Sequence, residues 1–288
     1  MAGSASGTKG ISTEMPNART RDLSSMSTEE IMRAINEEDF TVPSAVREAL
    51  PDVCRAAEAV SAAVNSGNRI FLLGAGTSGR IAALDAAELP PTFGFPRSQF
   101  KAIMAGGTKA YLRAVEGAED STSDAPERLK RARLSSGDAV IGITASGRTP
   151  FVIAGLKYAQ TKGSRTICIT SNKGSEITRV ADITIVVETG AEVITGSTRM
   201  KAGTAQKLVL NMISTFAGIR AGRVIGNNMV GMKPSNKKLR LRAVDIVVNV
   251  AKCGRAEATR RLEDCDYDIA AAIAAIGLGR NKDRSNRK

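Results

Sequence analysis

The sequence predicts an α/β protein: a doubly wound parallel sheet, with helices before it and a helical extension after it. Three observations carry this. Five short apolar segments recur at residues 69–73, 100–104, 139–143, 165–170 and 182–187. None of them alternates with a polar face, the pattern of parallel strands covered by helices on both sides. The stretches between them are mostly long enough for the crossover helices that parallel pairing needs, and helical patterns also fill both flanks.

Taken in order, the first 26 residues are rich in Gly, Ser and Thr and read as a flexible arm. Ser27, followed by Glu29 and Glu30, is an N-cap signal, with Ile31, Met32 and Ile35 at helical spacing behind it. A second helix is expected over 44–66, with Pro43 before it and Gly67 closing it. The 69–73 strand runs into Gly74-Ala75-Gly76-Thr77-Ser78-Gly79-Arg80 and a helix expected to stop at Pro90-Pro91. The 100–104 strand leads into Gly106-Gly107 and a helix to about Gly117. The 139–143 strand leads into Thr144-Ala145-Ser146-Gly147-Arg148-Thr149-Pro150, with Pro150 in the first turn of the next helix. After the last two strands, a long helix is expected over 198–221. The α/β domain is thus assigned to 27–225, a helical region to 226–279, and a basic, disordered tail to 280–288.

Composition narrows the chemistry. The chain has 288 residues and no histidine, which removes Ser-His-Asp and Cys-His nucleophiles and most catalytic zinc sites. Proton transfer falls to Glu, Asp, Lys, Tyr or Cys. The four cysteines, at 54, 168, 253 and 265, have neither metal-ligand nor paired spacing. They read as reduced, mostly buried thiols, with no metal and no cofactor expected. The N-terminal residues lack the apolar core of a signal peptide, and no run approaches the roughly 20 apolar residues of a membrane span. The expectation is a cytoplasmic protein without membrane contact. Net charge is +12, with 14 basic against 7 acidic residues from Lys233 onward. The basic tail reads as a solvated end. Aromatics at 3% and the lack of a recognition motif argue against nucleic acid.

Ligands of such sheets bind at the carboxyl ends of the strands. Three loops there are crowded with Gly, Ser and Thr: 74–79, 144–149 and 195–198. Glycines admit an anion close to backbone N–H groups, hydroxyls add donors, and helix starts favour negative charge. A phosphate site is therefore expected at these three loops, which include Gly76, Thr77, Ser78, Ser146, Gly147, Thr149, Ser197 and Thr198. Lys201 and Arg199 are available to balance the phosphate, or to serve as surface residues. The 74–79 loop also matches G-x-G-x-x-G, but the next strand ends without the acid a dinucleotide ribose needs. Glu88, ahead of Leu89-Pro90-Pro91, is expected near a helix end in apolar surroundings that raise its pKa, as suits a general acid. Glu119 follows Gly117 on a loop. Both are expected on the rim that carries the phosphate loops; a surface or capping role for each stays open.

The segments GAGTSGRIAALDAAELPPTFG (74–94), AGG…AVEGAED (105–120), GITASGRTP (142–150) and EVITGSTRMKAGTAQKLVLNM (192–212) resemble the N-acetylmuramic acid 6-phosphate etherases, members of the sugar isomerase (SIS) superfamily. Thr13, Glu14 and Asn17, the INEED at 35–39 and NKKLRLRA at 236–243 extend the resemblance over about residues 13–275. It implies a cytoplasmic, cofactor-free homodimeric lyase of cell-wall amino sugar recycling. Such a lyase splits the D-lactyl ether of N-acetylmuramic acid 6-phosphate into N-acetylglucosamine 6-phosphate and D-lactate. Lactate is eliminated across C2–C3 and water is then added. By that resemblance Glu88 protonates the departing oxygen, Glu119 removes the proton beside the carbonyl carbon, and Ser78, Ser146, Thr149, Ser197 and Thr198 supply the phosphate-binding hydroxyls; Glu192 and Lys201 are also expected among the substrate-binding residues. Two departures stand out. Ala191 replaces a proline before Glu192, and Gly231 stands in the 227–233 segment where an acid is expected. A non-catalytic sugar-phosphate sensor and an aldose–ketose isomerase are the alternatives on the same fold, and a sensor has no need of both glutamates.

Overall fold

The computed structural model describes residues 11–285. Its chain is organised as three hydrophobic clusters, two on either face of one sheet and a third in the C-terminal helices.

The first helix, α1 (Thr28–Asp39), begins with a capping box. The Ser27 hydroxyl accepts from Glu30 N at 3.4 Å, and the Glu30 carboxylate accepts from Ser27 N at 2.7 Å. The single helix expected over 44–66 is two, α2 (Thr41–Glu48) and α3 (Leu50–Asn65), joined at Ala49. Pro51 has no N–H for the carbonyl one turn back, so the helix restarts with Pro51 in its first turn, where that donor is not missed.

Five strands follow the sequence expectation to within a residue or two: β1 (Ile70–Gly74), β2 (Phe100–Met104), β3 (Ala139–Ile143), β4 (Arg165–Thr170) and β5 (Ile183–Val186). All pair in parallel, in the order β2-β1-β3-β4-β5. Ile70 and Leu72 of β1 enter one cluster while Phe71 and Leu73 enter the other. That division explains why the strand shows no polar face. At about 25 cal/mol per Å² of apolar surface, each of these buried side chains contributes roughly 1.5–3 kcal/mol.

The crossover helices are α4 (Gly76–Phe93), α5 (Asp124–Arg131) and α6 (Pro150–Thr161), and α7 (Lys201–Arg220) follows β5. With α2 and α3, α4 and α7 cover one face; α5 and α6 cover the other. Pro150 opens α6 as expected. Three expectations fail. α4 runs through Pro90 and Pro91, because proline's fixed φ is itself helical, and stops at Gly94 with φ 68°. No α-helix reaches Gly117. A 3-10 turn over Gly107–Tyr111 gives way to irregular chain, with Gly106 and Gly107 both at positive φ. The long helix begins at Lys201, three residues later than expected. α5 has no counterpart in the sequence reading.

Beyond α7, a hairpin of β6 (Val224–Ile225) and β7 (Asn228–Met229) leads to α8 (Lys237–Ala251), α9 (Arg255–Asp264) and α10 (Ile269–Ser285). α10 carries residues 280–285, which were expected to be disordered; the rest of that tail, 286–288, lies outside the described residues. Gly94 and Gly231 touch through their backbones. A Cβ on Gly231 would sit 2.3 Å from the Phe93 carbonyl oxygen, so the departure at 231 accommodates close chain approach.

The N-terminal arm is also not loose where it is described, its first ten residues lying outside. From Ile11 it makes three 3-10 turns, and Ile11, Thr13 and Thr20 are buried.

Candidate active site

The strand order reverses direction between β1 and β3, because β2 lies on one side of β1 and β4 on the far side of β3. Their connections leave to opposite faces, so a crevice opens at the carboxyl ends of these two strands. The 74–79 and 144–149 loops border it.

β1 turns directly into α4 because both ends of the turn are glycine. A Cβ on Gly74 would sit 2.6 Å from Gly79 N. Gly76, Thr77 and Ser78 form the first turn of α4, where backbone N–H groups lack helical partners and point at the crevice mouth. After β3, the Thr144 hydroxyl lies 2.7 Å from that of Thr149 and 3.4 Å from that of Ser146. Arg148 N donates to the Ser146 hydroxyl at 3.3 Å. Gly147 accepts Ile177 N through its carbonyl, joining this loop to the one after β4.

The third loop, 195–198, is brought to the first by the start of α7: a Cβ on Gly203 would lie 3.3 Å from the Thr77 methyl and 3.5 Å from the Thr198 carbonyl oxygen. All eight hydroxyl-loop residues expected at the rim therefore lie there. The start of α7 is held by Glu192, whose two carboxylate oxygens accept Lys201 N at 2.9 Å and Ala202 N at 3.0 Å. Burial pushes the Glu192 carboxyl above the ordinary carboxylate range, against those two amides and the Lys201 charge. Lys201 is 3% exposed and bonds Glu38 of α1 at 2.5 Å. Arg19 forms an ion pair with the other oxygen of Glu38. Burial would raise Glu38, but the Lys201 and Asn17 hydrogen bonds and the charges of Lys201 and Arg19 hold it below the usual range. Glu192 and Lys201 thus have partners inside the protein, beside the start of α7, in addition to the substrate-binding role expected of them. Buried positions beside a helix start need such partners, and the sequence conceals whether a partner exists.

The glutamates part company. Glu119 lines a cavity of about 220 Å³ with Ala75, Gly76, Arg80, Met104 and Arg113, at the mouth of β1 and β2. Glu88 is exposed on the surface of the single chain, and α4 continues five residues past it. It stands twelve residues beyond Gly76, about 18 Å down a helix that runs away from the rim. The expectation that both share one rim fails within a single chain. Directly below it, Asp85 is buried and takes a hydrogen bond from the Ser214 hydroxyl at 3.2 Å. Burial raises the Asp85 carboxyl, and the Glu88 charge adds to the effect.

Sequence reasoning missed Arg80 and Arg113 as cations beside Glu119. The repeated Ser-Gly-Arg triplet was the available signal for Arg80, whose Nε donates to the Tyr111 carbonyl at 3.3 Å. Among the described residues, no three His, Cys, Asp or Glu side chains gather as a metal ion would require. No described helix is long and apolar enough to cross a membrane. Burial pushes the Cys168 thiol up to about 11.

The fold and its crevice define a sugar isomerase domain. Residues 52–160 match the model of the glucokinase regulatory protein N-terminal SIS domain. The same architecture recurs in the phosphoheptose isomerases of Neisseria gonorrhoeae (TM-score 0.53, 18% identity, 66% of this chain and 98% of that one) and Francisella tularensis (0.53, 18%, 67% and 98%). N-acetylmuramic acid 6-phosphate etherases are far closer in sequence. That of Salmonella agona is 48% identical over 267 residues, 92% of this chain and 90% of the relative. That of Escherichia coli O157:H7 is 48% identical over 264 residues, 92% and 89%. The chain belongs to the N-acetylmuramic acid 6-phosphate etherase family.

Proposed function

We propose that this chain is a lyase that cleaves the D-lactyl ether of N-acetylmuramic acid 6-phosphate, releasing D-lactate and N-acetylglucosamine 6-phosphate in cell-wall amino sugar recycling. The observation that carries it is 48% identity to curated etherases along nine-tenths of both chains, joined to a crevice ringed by hydroxyls and an α-helix start.

The phosphate sits at the first turn of α4 and the Ser146–Thr149 hydroxyls, and that remote binding energy fixes the reacting carbons. The open-chain sugar carries an aldehyde at C1, so its C2 proton is acidic. Glu119, on the same mouth, takes that proton. The C2–C3 double bond forms as the C3–oxygen bond breaks, and Glu88 gives its proton to the departing lactate oxygen. Water then adds to C3 of the unsaturated aldehyde and a proton returns to C2. Arg80 and Arg113 lie where the lactyl carboxylate needs a cation.

A general acid must come within hydrogen-bond reach of the atom it protonates, and about 18 Å of helix separates Glu88 from its own rim. The working unit is therefore a homodimer whose two-fold axis brings Glu88 of one chain to the crevice of the other. Glu88 shares an exposed stripe of α4 with Leu84, four residues earlier, and Met212 and Ile219 of the neighbouring α7 are also exposed. A self-complementary apolar face of this kind suits a two-fold contact.

The test is D-lactate release from N-acetylmuramic acid 6-phosphate by the purified protein with a chelator present. Release that falls about 10²–10⁴-fold in both Glu88→Gln and Glu119→Gln is the expected result. Wild-type protein that binds the sugar phosphate without releasing lactate overturns the reading in favour of a sensor.

A further inference from the structure

The segment from Ser12 to Thr20 is a strap across the loops of the sugar-phosphate rim. Ser12 donates through its backbone N and its hydroxyl to the Asn172 side-chain oxygen, at 2.7 and 2.9 Å. The Asn172 amide donates in turn to the Thr13 hydroxyl at 3.2 Å and to the Ala145 carbonyl, in the β3 loop, at 2.8 Å. Gly196 N donates to the Thr13 carbonyl at 3.2 Å, and the Thr20 hydroxyl donates to the Val193 carbonyl at 2.7 Å. The strap thus ties the loops after β3, β4 and β5 together. Buried Thr13 and Asn172 are its anchor.

Between these anchors stands Glu14, half-buried. Its carboxylate lies against the 195–198 loop, with Oε2 2.8 Å from where a Cβ on Gly196 would be. Gly196 has φ 76°, a conformation that favours glycine, and a side chain there would have to displace the end of the Glu14 side chain. Among the described residues, no group donates a hydrogen bond or forms an ion pair with this carboxylate. A carboxylate held without a donor at the edge of an anion-binding crevice has two effects. It repels phosphate from the 195–198 loop, and it offers strong acceptor oxygens to neutral donors.

We propose that Glu14 sets the orientation of the bound sugar phosphate, accepting a hydroxyl or acetamido N–H of the sugar at the β5 side. The phosphate is thereby confined to the α4 start and the Ser146–Thr149 loop. Glu14 is then a specificity-determining residue contributed by the strap, and Ser197 and Thr198 face the sugar instead of the phosphate. This rests on the sugar-phosphate reading of the rim.

The experiment is titration calorimetry of the wild type, Glu14→Gln and Glu14→Ala with two probes, N-acetylglucosamine 6-phosphate and inorganic phosphate. Glu14→Ala is expected to weaken the sugar phosphate roughly ten- to hundredfold, the worth of a hydrogen bond to a charged group. Glu14→Gln, which keeps an acceptor, weakens it less. Inorganic phosphate binds both variants as tightly as wild type or more tightly. Melting temperatures unchanged from wild type show that the strap stays docked. Equal weakening of both probes reduces Glu14 to a structural part, and an unchanged affinity for the sugar phosphate removes it from the site; either result overturns the proposal. Binding is read without turnover, so absent lactate release would refute the etherase reading and leave this result standing.

Discussion

If Glu88 serves the partner's crevice, two dead chains make one live site. Take one chain with Glu88→Gln and another with Glu119→Gln, carrying different affinity tags, co-expressed and purified through both tags so that only mixed dimers remain. Each homodimer is expected to be about 10²–10⁴-fold slow, since each lacks one proton-transfer group at both sites. In the mixed dimer, the crevice holding intact Glu119 receives intact Glu88 from its partner. The other crevice lacks both. One of two sites works, so kcat per dimer returns to about half of wild type, far above either parent. The reciprocal mixture sharpens the result: wild type paired with the Glu88→Gln, Glu119→Gln double variant leaves neither crevice whole and is expected to be inactive. The assay is coupled oxidation of released D-lactate at saturating substrate. A dead first mixture together with a half-active second one refutes the reasoning, because it would mean that Glu88 serves its own chain's crevice, about 18 Å of helix notwithstanding.

Other outcomes follow from the interior. Lys201→Met strands the Glu38 carboxylate, 2% exposed, with Arg19 alone, and should cost about 3 kcal/mol in urea unfolding. Glu38 and Asp138 both have carboxyls held below the ordinary range. In each, burial is outweighed, by Lys201, Asn17 and Arg19 in the first case and by Arg69 and Ser135 in the second. A depressed folded pKa stabilises above the unfolded value and is lost as pH falls through the folded one. Stability should thus be steady at neutral pH and decline with acid below about 4, less steeply in Lys201→Met. Gly142→Ala would set a methyl 2.7 Å from Val152 Cγ1 and 2.9 Å from Leu156 Cδ1, and should destabilise by about 1–3 kcal/mol without changing the KM of what still folds. Thr149→Val, which removes a hydroxyl 2.7 Å from Thr144, should raise KM for the sugar phosphate roughly tenfold, measured alongside an unchanged melting point.

The strands were legible because Ile70-Phe71-Leu72-Leu73 and their counterparts must be apolar wherever both faces are covered. The place of the hydroxyl loops at the strand ends was legible because a chain that turns directly from strand to helix favours glycine and small hydroxylic residues there. What resisted reading was anything decided by long-range partners. Glu192 and Lys201 look like ligands in a string of letters; only the fold reveals that one caps α7 and the other answers Glu38, 163 positions away. The arm before Ser27 reads as loose by composition, yet Thr13 and Thr20 are buried by loops beyond residue 140. The direction of α4 was implicit in β1 preceding it, and following that direction down the helix separates Glu88 from the rim.

The contact between Gly94 and Gly231 has a consequence for how this sequence can change. The family pattern has an acid at 231, but here any side chain at that position would be driven into the Phe93 carbonyl oxygen, and one on Gly94 into the Gly231 carbonyl, 2.2 Å away. A side chain at 231 is therefore accommodated only if the backbone at 93–94 withdraws, and one at 94 only if that at 231 does. The two glycines are thus sterically interlocked, so that substitutions at the junction between the sheet domain and the C-terminal helices are coupled.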